Sequence, residues 1–303
     1  LTFITLFFGV VNHALQRWVI LPGFSILEYK QAETELQRVI DAINRETEHL
    51  ELFLGDWAIW DDTYSFAKEE DPQARQGYID SNLVWTSLEE ASGINLVFIY
   101  NNKDELLWGG VFDSKQGGLI DVQEFPKRSV PADKNLLQHD SLTSTVSGII
   151  DSSTGPILIS SRPIITTRGS GPIAGTILMG RFLDATLLEK MSAQTRVEFT
   201  ASTLASLSPS DALYEHVNHL HLGDIAVVEI SEKALEIDGL IAGIDGDPLL
   251  AVRAQIPRTI MQEGLRVAQL ASASVLVSFV LLCLFISFGM VYYTLGIRVA
   301  NAR

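Results

Sequence analysis

The chain has 303 residues, of which 47% are apolar and 19% are charged, a composition typical of globular proteins with about two domains. Its 22 basic residues are outnumbered by 37 acidic ones, and the formal net charge is -15 at pH 7. Because nucleic-acid binding needs a basic surface that neutralises phosphates, this balance excludes nucleic acid as an expected partner.

Apolar segments at both ends of the chain predict membrane helices. The chain opens without an initiator Met on an apolar run from Leu1 to Val11, which reaches spanning length only when it is continued to Phe24 through the polar residues at 12, 13 and 17. We expect residues 1–24 to be the truncated first transmembrane helix. The alternative is a signal sequence. No charged residue occurs between Arg266 and Arg298, and this stretch exceeds the roughly 20 residues that span a bilayer. A second transmembrane helix is therefore predicted over residues 267–297.

The segment between these helices carries the acidic residues of the chain, all of which lie between Glu28 and Glu263. It is expected to be water-soluble. Arg298 and Arg303 follow the second helix and fit a cytoplasmic end, with residues 298–303 as the start of a cytoplasmic linker. The middle segment then faces outward. The one cysteine, Cys283, lies in the membrane helix, so no disulfide is expected there.

Residues 25–66 are predicted to form a long leading helix, because the run from Ser25 to Trp60 contains no Pro. Apolar residues recur along it at alternating steps of four and three, which is heptad-like spacing. This stripe either packs on the chain's own sheet or forms the dimer and signalling helix of a homodimer. Its apolar members include Leu36, Ile40, Ile43, Leu50 and Leu54.

Residues 67–199 read as one module with a sheet of about five strands. Two apolar runs flank Asn101 to Asp104 and predict a hairpin, and Gly and Pro turns separate three later strands. A helix from Asp184 to Ala193 follows, with Asp184 as its cap. Residues 200–266 form a smaller membrane-proximal β unit in which the turn at 245–248 joins two strands. The predicted fold class is α+β with an antiparallel sheet, since the loops are too short for crossover helices.

An aromatic and acidic segment, Asp56 to Phe66, is the main candidate for a binding site. If it is helical, one face carries two indoles, a carboxylate and a phenol, which suits a cation or a planar ligand. The alternative is that these rings seal the core. The predicted ligand-binding residues on this face are Trp57, Trp60, Asp61 and Tyr64.

Two arginines lie within apolar segments that are predicted to be strands, where burial of an unpaired charge costs free energy. Arg162 and Arg181 are expected to pair with Asp61 or Asp62, or else to sit on a solvent face or contact an anionic ligand.

Three histidines give a weak metal candidate. They are His216, His219 and His221, and neither an HExxH motif nor a cysteine ligand accompanies them. We therefore expect solvated histidine side chains and no cofactor. No nucleophile or phosphate-binding motif occurs in the chain, which predicts a non-catalytic outer domain.

Three strings carry a resemblance to a known family. D-W-x-x-W-D-D-T-Y-x-F from Asp56 to Phe66, G-P-I-A-G-T-I-L-M-G-R-F-L-D from Gly171 to Asp184, and I-D-G-D-P-L-L-A-V-R-A-Q-I-P-R from Ile244 to Arg258 resemble the fourth class of CHASE domains. The resemblance covers most of residues 28–266. It implies a PAS-like, Cache-type fold, with a long leading helix and an antiparallel sheet.

The resemblance also implies a function. Such domains are periplasmic sensors of dimeric receptors in the bacterial inner membrane, which read a small molecule and regulate a diguanylate cyclase, a phosphodiesterase (GGDEF and EAL modules) or a histidine kinase. We expect the cyclase or phosphodiesterase output, with the kinase as the alternative. Two other readings are a membrane-anchored metal-dependent hydrolase that uses the three histidines and a sensor of a protein partner.

Overall fold

The computed structural model describes residues 2–126 and 131–301 of the chain. Arg303, one of the two basic residues used to predict orientation, lies outside this range. The described chain is mainly helical up to Ser92, two shorter helices follow among the later strands, and one long helix lies at its end. The helices are α1 (Thr2–Leu15), α2 (Leu21–Ala58), α3 (Asp61–Lys68), α4 (Pro72–Asn82), α5 (Trp85–Ser92), α6 (Ala185–Thr195), α7 (Ala212–Val217) and α8 (Thr259–Asn301).

A six-stranded antiparallel sheet has the order β3-β2-β1-β6-β5-β4. One strand more than expected is present, because the short β3 pairs at an edge. Its strands are β1 (Leu96–Asn101), β2 (Leu106–Asp113), β3 (Gly118–Ile120), β4 (Val146–Ile150), β5 (Ile157–Ile164) and β6 (Gly175–Phe182). The predicted hairpin at 101–104 is confirmed. Side chains of β1, β5 and β6, including Phe98, Ile159 and Leu178, form the core on one face of the sheet.

A second sheet has four strands in the order β7-β10-β9-β8. They are β7 (Glu198–Thr203), β8 (Ile225–Glu229), β9 (Ala234–Ala242) and β10 (Pro248–Pro257), and the predicted turn at 245–248 joins β9 to β10. Asp184 caps α6 by accepting a hydrogen bond from the Leu187 N–H at 2.9 Å, as expected. The α+β fold class and the long leading helix are confirmed.

The apolar stripe of α2 is buried within the chain itself. Leu36, Ile43, Leu50 and Leu54 are each exposed by 1% or less, and Ile40 is half-buried. Leu36 approaches so closely that a Cβ on Gly239 of β9 would lie 2.8 Å from its Cδ2. The stripe therefore packs on the chain's own strands, one of the two alternatives, and pairing of α2 with a second subunit stays a prediction.

The chain divides into two compact units. A terminal unit contains Leu1–Thr34, Val228–Leu235 and Ile256–Arg303, and a central unit contains Glu35–Val227 and Glu236–Gln255. In the terminal unit, Thr259–Leu295 is the helix of the described chain that is long and apolar enough to cross a membrane. This agrees with the predicted C-terminal span; the first predicted span stays a prediction.

Within the terminal unit, α1, a π-helical turn (Gln16–Ile20) and the start of α2 run alongside the start of α8. Contacts recur along the pair, and as the residue number rises along the first helix, the number of its contact on α8 falls. The helices are therefore antiparallel. The contacts join Asn12 to Ser272 at 3.2 Å, Gln16 to the Ala268 carbonyl at 3.2 Å, Phe24 to Gly264, and Glu28 to Met261 and Arg258.

Candidate functional site

The aromatic segment after α2 is not one continuous helix. Helix α2 ends at Ala58, Trp60 is extended with φ -137° and ψ 130°, and α3 begins at Asp61. The expectation that Trp57, Trp60, Asp61 and Tyr64 share one helical face is therefore wrong. The physical reason is tertiary: the Ile165 N–H donates to the Ala58 carbonyl at 2.9 Å, so the backbone here pairs with the strand region instead of continuing the helix.

A cavity of about 470 Å³ opens where α3 and α4 meet. Its aromatic wall is formed by Trp60, Phe66 and Tyr78, whose rings are in contact: Phe66 and Tyr78 stack with centroids 4.7 Å apart, and Trp60 lies 6.0 Å from Tyr78. Trp57 packs edge-on against Trp60 at 6.2 Å but does not line the cavity. The volume of the cavity lies in the range of small-molecule sites.

Some polar groups at this cavity have hydrogen-bond partners within the chain and others do not. Arg75 donates to the Glu69 carbonyl from its Nε at 2.7 Å, so its guanidinium is engaged within the chain. The Tyr78 hydroxyl is 2.7 Å from Thr63 Oγ1, and burial raises the pKa of Tyr78 to about 12, which keeps the phenol neutral near pH 7. The exposed Asp62 carboxylate has no hydrogen-bond or ion-pair partner among the described residues. A negative group beside aromatic faces suits a cationic ligand.

Asp61 and Tyr64 face away from this cavity. Asp61 Oδ1 accepts a hydrogen bond from the Thr167 N–H at 2.9 Å, and the Asp61 N–H donates to Thr167 Oγ1 at 3.0 Å. Lys68 Nζ lies 5.3 Å above the Tyr64 ring. Of the four predicted residues, only Trp60 lines the cavity in the described structure, and its neighbours there are Phe66 and Tyr78. Phe66 belongs to the string that carried the family resemblance, and Tyr78 follows a strong helix start, an Asp71 cap and Pro72, but no sequence spacing linked the two rings.

Arg181 forms a largely buried ion pair with a partner that the sequence did not indicate. Its Nη1 is 2.5 Å from Glu46 Oε2, and the two side chains are 17% and 8% exposed. Arg162 has its Nη1 2.7 Å from the place where a Cβ on Gly55 would lie, and it makes no hydrogen bond or ion pair within the described residues. The expected pairing with Asp61 or Asp62 is therefore wrong. A ligand contact by either arginine stays a prediction.

The central unit has further cavities, two of which contrast with the one at Trp60. One, of about 690 Å³, is lined by charged residues of both signs, among them Arg181, Lys115 and Asp184. Lys115 Nζ binds Asp184 at 2.6 Å, and this contact raises the pKa of Lys115. The other, of about 290 Å³, has an apolar floor that includes Leu136 and Ile149. Neither of these two cavities has an aromatic wall comparable with that at Trp60.

The histidines of the weak metal candidate are used in two separate places. His216 Nδ1 is 2.8 Å from Oδ2 of the fully buried Asp238, and Arg253 Nε donates to Asp238 Oδ1 at 2.7 Å. The hydrogen bond that Arg253 donates to the Asp238 carboxylate raises the pKa of Arg253. His221 instead contacts Asp224 at 3.3 Å. Across residues 2–126 and 131–301, no group of three His, Cys, Asp or Glu side chains is placed to hold a metal ion.

Comparison with known proteins gives relatives among signalling proteins. The chain is 27% identical over 235 residues to the methanogenesis regulatory histidine kinase FilI of Methanothrix harundinacea (strain 6Ac), a match that covers 76% of this chain and 24% of FilI. The chain thus spans about a quarter of the length of that relative.

The solved structures that this chain matches include two from Vibrio. A domain described as a sensory box/GGDEF family protein of Vibrio parahaemolyticus matches with a TM-score of 0.49 and 10% identity, over 79% of this chain and 99% of that one. The periplasmic domain of Vibrio cholerae LuxQ matches with a TM-score of 0.40 and 16% identity, over 75% of this chain and 98% of that one.

One family model matches more than half of the chain. It is the model of the CHASE4 domain, and it covers residues 42–202, from the middle of α2 to β7. The matched range includes the aromatic cavity and the whole six-stranded sheet. The chain belongs to the CHASE4 family of sensor domains.

Proposed function

We propose that this chain is the sensory input region of a membrane-bound signalling receptor and that it binds a small cationic molecule in the cavity lined by Trp60, Phe66 and Tyr78. The observation that carries the ligand class is the unpaired Asp62 carboxylate beside that aromatic wall. Ring faces and a nearby carboxylate both attract a desolvated cation, such as an organic amine.

The proposed membrane topology has two spans, with the central unit in the periplasm and the C-terminus in the cytoplasm of a bacterial cell. The apolar helix Thr259–Leu295 supports the second span. The antiparallel pairing of α1 with α8, together with the exposed apolar side chains of Phe7, Phe8 and Val10, supports a first span beside it. Arg298 at the far end of α8 supports a cytoplasmic C-terminus.

The proposed output is an enzyme module encoded with this sensor in one protein. The name of the relative FilI, a histidine kinase, supports a kinase output. A GGDEF or EAL module stays the other candidate that the family resemblance implies. Reading the residues that follow Arg303 in the same open frame distinguishes the two classes directly.

Ligand binding is tested by thermal unfolding of the chain in a mild detergent with a panel of organic amines, amino acids, carboxylates and nucleobases. A ligand that binds only the folded state stabilises it by about 2.7 kcal/mol at 100 times its Kd. For a protein of this size, that corresponds to a rise in Tm of about 5 to 10 °C. We expect the rise with an amine.

Two neighbouring carboxylates provide a matched pair of variants. Asp62→Asn and Trp60→Ala should abolish the rise in Tm, because Asp62 and Trp60 line the cavity. Asp61→Asn should preserve it, because Asp61 lies outside the cavity and its side-chain oxygen can still accept from Thr167. A ligand response that survives both Asp62→Asn and Trp60→Ala contradicts this site; a folded chain that responds to no member of the panel contradicts small-molecule sensing and favours a protein partner.

A homodimer is also proposed, as the resemblance implies. Leu50 is 1% exposed, so a cysteine there is a poor probe of a subunit interface, whereas Leu52 on the same helix is 72% exposed. Disulfide formation between two copies of a Leu52→Cys variant in membranes supports an interface along α2. A monomer at all concentrations in detergent and in membranes contradicts the dimer.

A further inference from the structure

The antiparallel pair in the terminal unit is tied together by a buried charge. Glu28 of α2 is 2% exposed and Arg258, the residue directly before α8, is 7% exposed. Arg258 Nε donates to Glu28 Oε2 at 2.9 Å. A charge removed from water in this way is stable only when it is paired, so the burial of the Glu28 carboxylate depends on Arg258.

The same carboxylate also caps the membrane helix. Glu28 Oε1 accepts a hydrogen bond from the Met261 N–H at 3.2 Å, in the first turn of α8. The first N–H groups of a helix have no partner within the helix, and a negative charge is favoured there by the helix dipole. One side chain of α2 thus satisfies both the backbone and the charge at the start of α8.

Arg258 has a second carboxylate on its other side. Its Nη1 and Nη2 contact Glu229 at the end of β8, at 2.9 and 3.2 Å, and Nη1 also lies 3.3 Å from the Ser231 carbonyl. The guanidinium is therefore held by partners from two chain segments. Its planar, rigid set of donors fixes its orientation, which a flexible lysine would not do.

The remaining contacts of the pair follow the register that Glu28 sets. Positions 12, 16, 24 and 28 of the first helix each contact α8. At Gly264 the helices touch, since a Cβ there would lie 2.5 Å from Phe24 Cγ. The π-helical turn Gln16–Ile20 lies inside this paired stretch, and such turns mark places where a helix accommodates an extra residue.

We propose that Glu28 and Arg258 form a latch that holds α8 in one register against the first helix, and that opening the latch lets α8 move along its partner by about one turn. The hydrogen bonds of the latch join only groups of this chain, so the latch can be tested without a ligand. The step from helix register to output rests on the proposed function, because only in a receptor does movement of α8 carry a signal.

Disulfide crosslinking of the full chain in membranes tests the latch. The native thiol is removed by Cys283→Ser. An in-register pair is made with Phe24→Cys and Gly264→Cys, and a pair one turn away with Phe24→Cys and Ala268→Cys. With the latch intact, we expect the first pair to crosslink and the second to crosslink weakly.

Opening the latch should reverse this preference. Glu28→Gln, which keeps an oxygen that can cap Met261, removes the charge that ties Arg258 to α2, and Arg258→Ala leaves the buried Glu28 carboxylate without its ion pair. Each should lower the in-register yield about fivefold and raise the other yield. Arg266→Ala is the matched control, since Arg266 forms an exposed ion pair with Glu263 of the same helix.

The outcomes separate the latch from the sensor. Unchanged yields for both pairs in Glu28→Gln, in a chain whose circular dichroism remains native, overturn the latch; this variant carries the test if Arg258→Ala does not fold. A reversed preference in both variants, with no change in Arg266→Ala, supports it. The readout needs no ligand and no output module, so a failed ligand screen leaves this result unaffected.

Discussion

His139 provides a pH-dependent test of the central unit. The ring lies between two hydroxyls: its Nε2 is 3.0 Å from Ser161 Oγ, and its Nδ1 is 3.2 Å from Ser144 Oγ. Ser161 donates its own hydrogen to the Leu136 carbonyl, so it accepts one from His139 Nε2. Nδ1 then accepts from Ser144, and this set of hydrogen bonds requires a neutral ring.

Burial, followed by the nearby Arg162 guanidinium, lowers the pKa of His139 from 6.5 to about 4, and Asp140 opposes this shift. At about 1.36 kcal/mol for each pKa unit, this difference corresponds to about 3.4 kcal/mol. The ring is only partly buried, so screening by solvent reduces the effect on the free energy of unfolding to about 1 to 2 kcal/mol.

The direction follows from proton counting. Between its folded-state pKa of about 4 and its usual 6.5, the ring binds a proton in the unfolded chain but not in the folded one. The contribution is therefore fully present above pH 6.5 and is lost as the pH falls toward 4. We expect the Tm of the chain in detergent to fall by about 2 to 6 °C more between about pH 7 and pH 4.5 than the Tm of His139→Gln.

A second histidine supplies the control for this experiment. His219 is exposed, and His219→Gln should leave the pH dependence of the Tm as it is in the unaltered chain. If His139→Gln and the unaltered chain lose the same Tm over this pH range, the buried neutral ring does not contribute and the reasoning is refuted.

Two further pairs of substitutions test the packing of the six-stranded sheet. Ser160→Ala should stabilise the chain by up to about 1 kcal/mol, because the Ser160 hydroxyl is buried without a hydrogen-bond partner in the described structure. Ser161→Ala should destabilise the chain by about 1 to 3 kcal/mol, because the Leu136 carbonyl loses its donor. Equal changes in the urea midpoint of the two variants would contradict this contrast. Gly175→Ala should lower the free energy of unfolding by more than about 3 kcal/mol, since its Cβ would lie 2.0 Å from a main-chain carbonyl oxygen. Gly77→Ala, at an exposed helical position with open space around it, should raise the free energy of unfolding by about 0.5 to 1 kcal/mol. Comparable Tm values for the two variants would show that the sheet yields at Gly175.

Local sequence signals predicted the elements that depend on local physics. The length of α2 follows from an uninterrupted apolar repeat, and the β1–β2 hairpin follows from the polar residues at 101–104 between apolar runs. The cap of α6 by Asp184 joins atoms three residues apart, so it too is a local property. The family resemblance, which rests on short strings of residues, agrees with the CHASE4 match.

Contacts between distant parts of the chain decided the candidate site. Helix α2 stops at Ala58 because Ile165 pairs with its backbone, and Arg181 finds its partner in Glu46, far away in the sequence. Hydrophobic spacing reports that a helix has an apolar face but does not report what covers that face, so it left open whether α2 packs on the chain's own strands or on a second subunit. The cavity at Trp60 likewise needed the packing of α3 against α4, because two rings from different helices become neighbours only when the chain is folded.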